Sequence, residues 1–247
     1  MIKIKRKFYL INIIDTWFYF ENKISNLFTL RAYSFIKNVQ KINNTFCIKF
    51  NTHTIVLSLE KSKEEIESRF STNIKSEIKR ARKYDFICDF KNNTEKFISI
   101  YNDFAVLKKI YPANRKSIKY IGNNFKTTFV LLNNDIIAAH SYIIDSHIGI
   151  ARLYQSCSKR LDNSYNKEIT GIANKLLTME DILYFKKEGF RIYDFGGYAY
   201  NTENESLKGI NRFKSQFGGE ITTCVNYNTV GYHLLKKISE RIDFRYK

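Results

Sequence analysis

The chain has 247 residues, 44% hydrophobic and 15% aromatic, enough for a globular protein with a sizeable core and far from a disordered one. Its 41 Lys and Arg outnumber 24 Asp and Glu for a net charge of +17, which favours anionic partners (nucleic acid, phosphorylated substrates, an acidic membrane surface) without choosing among them. Cys47, Cys88, Cys157 and Cys224 are scattered with no C-x-x-C pair, and the histidines lack metal-ligand spacing, so neither a disulfide framework nor a metal is expected, and a reducing cytoplasm fits.

The chain opens on Lys3, Lys5, Arg6 and Lys7, followed by an aromatic run from Phe8 to Phe20. Asn12 and Asp15 interrupt the run, no small-residue cleavage site follows, and it is too short to span a bilayer. It reads either as a buried segment or as a peripheral contact with an anionic membrane on the cytoplasmic side. Two β-rich runs, Thr45–Phe50 and Thr54–Glu60, predict a pair of strands joined by a turn. Ser62 with Glu65 forms a capping box, and a second helix over Asn73–Lys83 places Ile74, Ile78 and Ala81 on one face. Around it lie Lys75, Lys79, Arg80, Arg82 and Lys83, a cluster for an anionic partner or a solvated face. Residues 1–70 read as a partial N-terminal subdomain packed on a main domain at 71–247.

A strand near Phe86–Phe90 precedes a helix from Thr94 with the stripe Phe97, Ile98, Tyr101, Phe104 and Leu107. Phe125–Asn133, Asp135–Asp145 and His147–Ser158 read as strands, the first two joined by an Asn133-Asn134 turn. Connections this short predict an antiparallel meander. The helix Lys167–Lys187 carries Ile169, Ile172, Ala173, Leu176, Met179 and Leu183 as its buried stripe, with Gly189 as C-terminal cap. The strand Arg191–Phe195 returns parallel to the preceding strand through a right-handed crossover. The fold class is therefore α/β (α+β): a mixed central sheet with an antiparallel meander and one β-α-β unit. A cleft is expected at the carboxyl ends of the parallel strands.

The stretch from Gly171 to Gly219 is the most specific. It couples Asp194-Phe195-Gly196-Gly197 to Gly209-Ile210, Phe213-Lys214 and Phe217-Gly218-Gly219. The Asp-Phe-Gly of protein kinases is excluded, because no glycine-rich loop, strand lysine or His-Arg-Asp element accompanies it. With the helix at Asn73–Lys83, the meander and the long helix, this order resembles the Fem-type branch of the GCN5-related N-acetyltransferase superfamily, over roughly Thr54 to Tyr227. The resemblance implies the acyl-CoA N-acyltransferase fold. It also implies transfer of an acyl group, acetyl foremost, from acetyl-CoA or another acyl-CoA to an amine or hydroxyl. The acceptor class is a small molecule or a nucleotide- or lipid-linked sugar, such as an amino sugar or cell-envelope precursor. Two alternatives stay open: an aminoacyl-tRNA donor, as in Fem-type peptidyltransferases, and a noncatalytic nucleic-acid or membrane binder.

The catalytic candidates are His140, Asp194 and Lys214. Alternation puts His140 and Tyr142 on one sheet face, and imidazole suits a general base, although a lone strand histidine can equally be a satisfied core residue. Asp194 could accept a proton, orient a substrate amine or cap a loop amide. Lys214, at the edge of a stripe of Ile210, Phe213 and Phe217, could stabilise substrate charge or snorkel to the surface. Alternation also aligns Arg152, Tyr154 and Ser156. By the resemblance, the pantetheine arm of acyl-CoA lies along Tyr154 and Ser156. Its pyrophosphate lies in the loop from Ser158 through Lys159 and Arg160 to the helix with Gly171 and Asn174. The superfamily's Gln/Arg-x-x-Gly-x-Gly/Ala signature is absent from that loop. Tyr142, Arg152, Gly196, Gly197 and Phe213 complete the substrate-binding candidates, the glycines by permitting close backbone approach.

Overall fold

The computed structural model describes residues 1–8, 11–18, 30–36 and 47–245. In chain order these form β1 (Ile2–Phe8), β2 (Ile11–Trp17), β3 (Arg31–Ile36), β4 (Cys47–Ser58), α1 (Lys63–Ser68), α2 (Thr72–Ala81), β5 (Ile87–Asp89) and α3 (Thr94–Lys108). There follow α4 (Arg115–Ile121), β6 (Phe125–Leu132), β7 (Asp135–Asp145), β8 (Ile150–Ser158), α5 (Lys167–Lys187), β9 (Ile192–Tyr198), α6 (Glu205–Ser215), β10 (Glu220–Thr229) and α7 (Val230–Arg245). The chain divides into two compact units, residues 1–54 with 222–247 and residues 55–221, so the division falls within β4 and β10 instead of near residue 70. Among the described residues no helix is long and apolar enough to cross a membrane.

In the first unit, β1 and β2 pair antiparallel from Ile2 opposite Trp17 to Phe8 opposite Ile11. Ile2 and Ile4 point inward while Lys3 and Lys5 face solvent, so these N-terminal lysines lie on the outer face of an alternating strand. Of the aromatic run, residues 11–17 form a half-buried strand in which Ile13 and Thr16 are buried; residues 9, 10, 19 and 20 lie outside the described residues. Asp15, which breaks the apolar run, accepts from Arg6 Nε at 2.6 Å, and Arg6 also donates to the Tyr232 hydroxyl of α7 at 3.1 Å. β3 joins β2 in parallel and β10 antiparallel, with a bulge between Val225 and Tyr227.

The second unit contains most of the sequence pattern. The predicted strand pair before Ser62 is instead one strand, β4; residues 45 and 46 lie outside the described residues. Its middle, Asn51-Thr52-His53, has no glycine and no positive φ to turn on. The Ser62–Glu65 capping box closes on α1 in both directions, at 3.1 and 2.9 Å. The α2 stripe is buried as expected. In α3 the buried stripe runs Phe97, Ile98, Tyr101 and Ala105, whereas Leu107 is 56% exposed: it lies half a turn round from Ala105, just before Lys109 ends the helix at φ +57°.

β5 to β8 form the antiparallel meander. Asn133 and Asn134 both have positive φ (51° and 66°), as a two-residue hairpin turn requires. α5 spans the predicted residues and buries the expected Ile172, Ala173, Leu176 and Met179 and also Ile182; the expected Ile169 and Leu183 are only half-buried, and Gly189 follows at φ +82°. It delivers the chain to β9, which pairs parallel to β8, with β4 on β9's other side. Directly paired strand residues share a face. Tyr142 of β7 meets Asp181 of α5, whereas Phe125, paired with Ile143, meets Phe97 of α3; α5 and α3 therefore cover opposite faces.

The glycine pair that ends α6 has a packing cause. Gly218 has φ +74°, and a Cβ there would come within 2.5 Å of Arg69 Cβ and 2.6 Å of the Arg69 carbonyl. At Gly219 it would meet Ile55 Cγ2 at 2.6 Å. Replacing Gly218 by Ala should cost about 2–4 kcal/mol in urea unfolding, from left-handed strain plus overpacking. Gly209→Ala, inside α6 with open space at its Cβ, should be neutral or stabilise by about 0.5–1 kcal/mol.

Candidate active site

β8 and β9 stay paired for three registers, Ile150 with Ile192, Ala151 with Tyr193 and Arg152 with Asp194, and then part. Each strand has a local reason to leave. On β8, Ser141 faces Gln155 while the next β7 residue, Tyr142, faces Leu153, which leaves Tyr154 as an extra, bulged residue. On β9, Gly196 takes φ +78°, and a Cβ there would lie 2.7 Å from the Leu153 carbonyl oxygen, so only glycine lets β9 pass.

Five of the sequence candidates meet at this fork. Arg152 Nη1 donates to Asp194 Oδ2 at 2.5 Å, both side chains being buried. The other oxygen, Asp194 Oδ1, accepts the Gly196 N–H at 2.9 Å, so the carboxylate caps the turn as well as holding the arginine. Lys214 Nζ donates to the Gly197 carbonyl at 2.7 Å. Burial, and then the Arg152 charge, lower the Lys214 ammonium pKa from 10.5 to about 8, against the opposing pull of Asp194.

His140 is elsewhere. It lies on the α5 face with Tyr142, whereas Arg152, paired with Ile143, lies on the α3 face together with Asp194. His140 is 1% exposed; its Nδ1 is 2.7 Å from Asp181 Oδ2 and its Nε2 is 3.0 Å from Asn174 Oδ1. Tyr142 donates to the same Asp181 oxygen at 2.6 Å and sits 2.8 Å from the Tyr193 hydroxyl. Burial first, and the Asp181 charge second, push both phenols well above the ordinary range, which keeps them protonated; Tyr193 then donates to Tyr142, and Tyr142 to Asp181. Both ring nitrogens are engaged, and His140 lies on the face of the sheet away from the fork. Asn174 and Tyr142, expected to face ligand, belong to this interior network. Phe213 likewise packs inward, 5.5 Å from the Phe217 ring.

Sequence reading missed Asp181 and Tyr193. A signal existed: Asp181 lies among Leu177, Ile182 and Phe185 on the buried side of α5, where a carboxylate is costly unless paired. Only one of its oxygens has a hydrogen-bond partner among the described residues. Asp181→Ala should lower stability by about 3–5 kcal/mol in urea unfolding, since it strands a buried imidazole and phenol. A scaffold role further requires that Tyr193→Phe, which removes only the outermost hydroxyl, cost no more than about 1.5 kcal/mol.

Part of the segment expected to hold a pyrophosphate is engaged within itself. Asn166 Oδ1 accepts the Glu168 and Ile169 amides at 2.8 and 3.2 Å, and the Asn166 carbonyl takes the Thr170 amide at 3.0 Å. Lys159 Nζ is 2.5 Å from the Tyr165 hydroxyl and lies over that ring, and Tyr165 in turn donates to Asp135 at 3.1 Å. Arg160 and Ser156 are exposed, Ser158 is half-buried, and a Cβ on Gly171 would meet open space. The Tyr154 bulge breaks the expected alternation, so Arg152 shares its face with Gln155, while Ser156 pairs with His140 towards α5.

No protein-family model and no curated protein matches the chain by sequence. Solved structures match it in fold. FemX superposes with a TM-score of 0.58 at 10% identity, covering 75% of this chain and 63% of FemX, less than two thirds of FemX's own length. The chain shares its fold. The C-terminal domain of a protein assigned as a lysylphosphatidylglycerol synthetase from Agrobacterium fabrum gives 0.57 at 9% identity, with 87% and 72% covered. L-PGS from Bacillus licheniformis gives 0.53 at 9%, with 81% and 68% covered. The Fem-like fold expected from Asp194–Gly197 and Gly209–Gly219 is thus borne out.

Proposed function

We propose that this protein is an acyltransferase that holds the reacting carbonyl of its donor in the fork between β8 and β9, and that the donor is an aminoacyl ester of RNA. The observation that carries the reading is the fork itself: two parallel strands separating beyond a buried Arg152–Asp194 pair, with the Lys214 ammonium beside the turn. An acceptor amine or hydroxyl attacks the ester carbonyl. The bond to the ribose oxygen then breaks, and the acceptor's proton ends on that departing oxygen. Lys214 stabilises the negative charge that builds on the tetrahedral oxygen. Asp194, bonded on both oxygens, positions Arg152 and the Gly196 turn. Cys157, on β8, offers no thiolate for a covalent intermediate, because burial pushes its thiol up to about 12.

Three features favour an RNA ester over a thioester of coenzyme A. The first-turn amides of α5 that would meet a pyrophosphate are capped by Asn166. A net charge of +17 suits a polyanionic donor. Among the fold neighbours is a domain of a protein assigned as a lysylphosphatidylglycerol synthetase, a name that joins a lysyl group to a lipid. The acceptor class carried over from the resemblance is a nucleotide- or lipid-linked envelope precursor. Acyl-CoA is the second reading, favoured by the resemblance to the wider superfamily.

The test is to supply radiolabelled aminoacyl-tRNA, or in parallel radiolabelled acetyl-CoA, with a fraction of nucleotide- and lipid-linked sugars and lipids, and to count label on the acceptors. Transfer from tRNA that RNase abolishes supports the proposal; transfer from acetyl-CoA alone overturns the donor, and transfer from neither overturns the enzyme. Lys214→Ala should lower the rate about 100-fold or more. Because the lysine's pKa is depressed to about 8, its cation is lost as pH rises through that value. The wild-type rate, corrected for spontaneous ester hydrolysis, should therefore fall above pH 8, and Lys214→Arg should remove that fall.

A further inference from the structure

On the α3 face, between the segment joining α3 to α4 and the bulge of β8, lies a cleft of about 400 Å3. Tyr101, Tyr111 and Tyr154 form its aromatic walls, Asn114, Ser117 and Gln155 supply polar edges, and none of its lining residues is charged. Tyr154 is the bulged residue itself; it is 39% exposed and its ring packs edge-on against Phe125, while Tyr111 is 65% exposed. Gln155 bonds the Tyr101 hydroxyl, and its buried Oε1 has no hydrogen-bond partner among the described residues.

Around this uncharged slot the chain is basic: Lys108, Lys109, Arg115, Lys116 and Lys119 interleave with the lining residues and are exposed. Lys108 reaches Ser206 and Arg115 pairs with Glu95, but Lys109, Lys116 and Lys119 have no acidic partner among the described residues. Neutral aromatic walls with amide edges suit a flat ring that hydrogen-bonds along its rim, and the exposed lysines on the neighbouring segments add positive potential for phosphates. Aromatic platforms flanked by cations are how single-stranded nucleic acid is held.

We propose that this cleft is a nucleobase site that stacks the last unpaired base at the 3′ end of an RNA, the basic segment around it attracting the phosphates. Its position agrees with the fork. The bulge puts Gln155 on the same face as Arg152, three residues away, and in a 3′-aminoacylated RNA one ribose separates the terminal base from the reacting carbonyl. The choice of RNA as the source of the base rests on the aminoacyl-ester reading above; the adenine of coenzyme A has the same chemistry.

The experiment measures binding of a short, 5′-fluorescent, single-stranded RNA ending in CCA, and separately of coenzyme A, at about 0.1 M salt. The proteins compared are the wild type, Tyr154→Ala, Tyr154→Phe and Tyr111→Ala. The proposal expects each alanine variant to lose about tenfold or more in RNA affinity. It expects Tyr154→Phe to keep that affinity, since it keeps the stacking face, and expects the same RNA annealed into a blunt duplex to compete poorly. RNA affinity unchanged in both alanine variants, or no binding of either probe, overturns the nucleobase site and leaves Lys214-dependent transfer standing. Tyrosine-dependent binding of coenzyme A without binding of the RNA supports the base-stacking cleft and overturns the RNA donor. Both exposed tyrosines can be truncated without opening the core, so a folded variant is available for every arm.

Discussion

Arg152 and Asp194 mark the last register at which β8 and β9 remain together, and the layout of the site follows from that position. A buried ion pair adds little net stability over an apolar pair of the same shape, but removing one partner leaves the other charged and unsolvated. The pair is therefore a constraint on geometry more than a source of stability. It joins the two strands where β8 is about to bulge and β9 about to turn, and the second Asp194 oxygen fixes the turn through the Gly196 amide. Beyond that point no ladder bonds hold β8 to β9, and Gly196, Gly197 and Lys214 line the gap.

The two sheet faces divide the titratable groups by purpose. Towards α5 lie His140, Tyr142, Asp181 and Tyr193, all buried, with the half-buried Asn174 bonded to His140. Such a network ties the middle of the sheet to the crossover helix through directional bonds, which apolar contacts with Phe185 and Met179 could not specify alone. Towards α3 lie Arg152 and Asp194, close enough to Lys214 that their charges shift it, and the tyrosine-lined cleft. A carboxylate partnered by a histidine is a common catalytic arrangement; here the pair joins β7 to α5 on the side away from the fork.

Much of the fold was legible because local signals and burial agreed. The Ser62–Glu65 cap, the Asn133-Asn134 turn, Gly189 after α5 and the alternation of β7 each specify one conformation at short range. The strand β4 was misread because alternation around Asn51–His53 is weak and no turn residue there decides the matter. Asp194, Gly196, Gly197, Arg152 and Lys214, which the structure brings together at the fork, are visible in sequence as glycines at a strand end and a cation at a helix edge. His140 lies on the other face of the sheet. Alternation places a side chain on a face but does not say which face a ligand uses. The tyrosine cleft depends on the Tyr154 bulge, one extra residue set by cross-strand register, and strict period-2 reading cannot anticipate it.

The same bulge bears on how the molecule handles phosphate. In a regular strand Arg152 and Gln155 would point to opposite faces; the inserted residue brings them to one, so a ring held beside Gln155 and a carbonyl held beside Arg152 can belong to one ligand. At the neighbouring site, Asn166 has already taken the amides with which α5 would greet a pyrophosphate, and Lys159 is engaged with Tyr165. Phosphate binding through those amides or Lys159 would have to break these bonds, whereas Lys109, Lys116 and Lys119 have no acidic partner among the described residues. Under the proposal above, the ligand's base therefore enters among the tyrosines and the fork receives the reacting carbonyl.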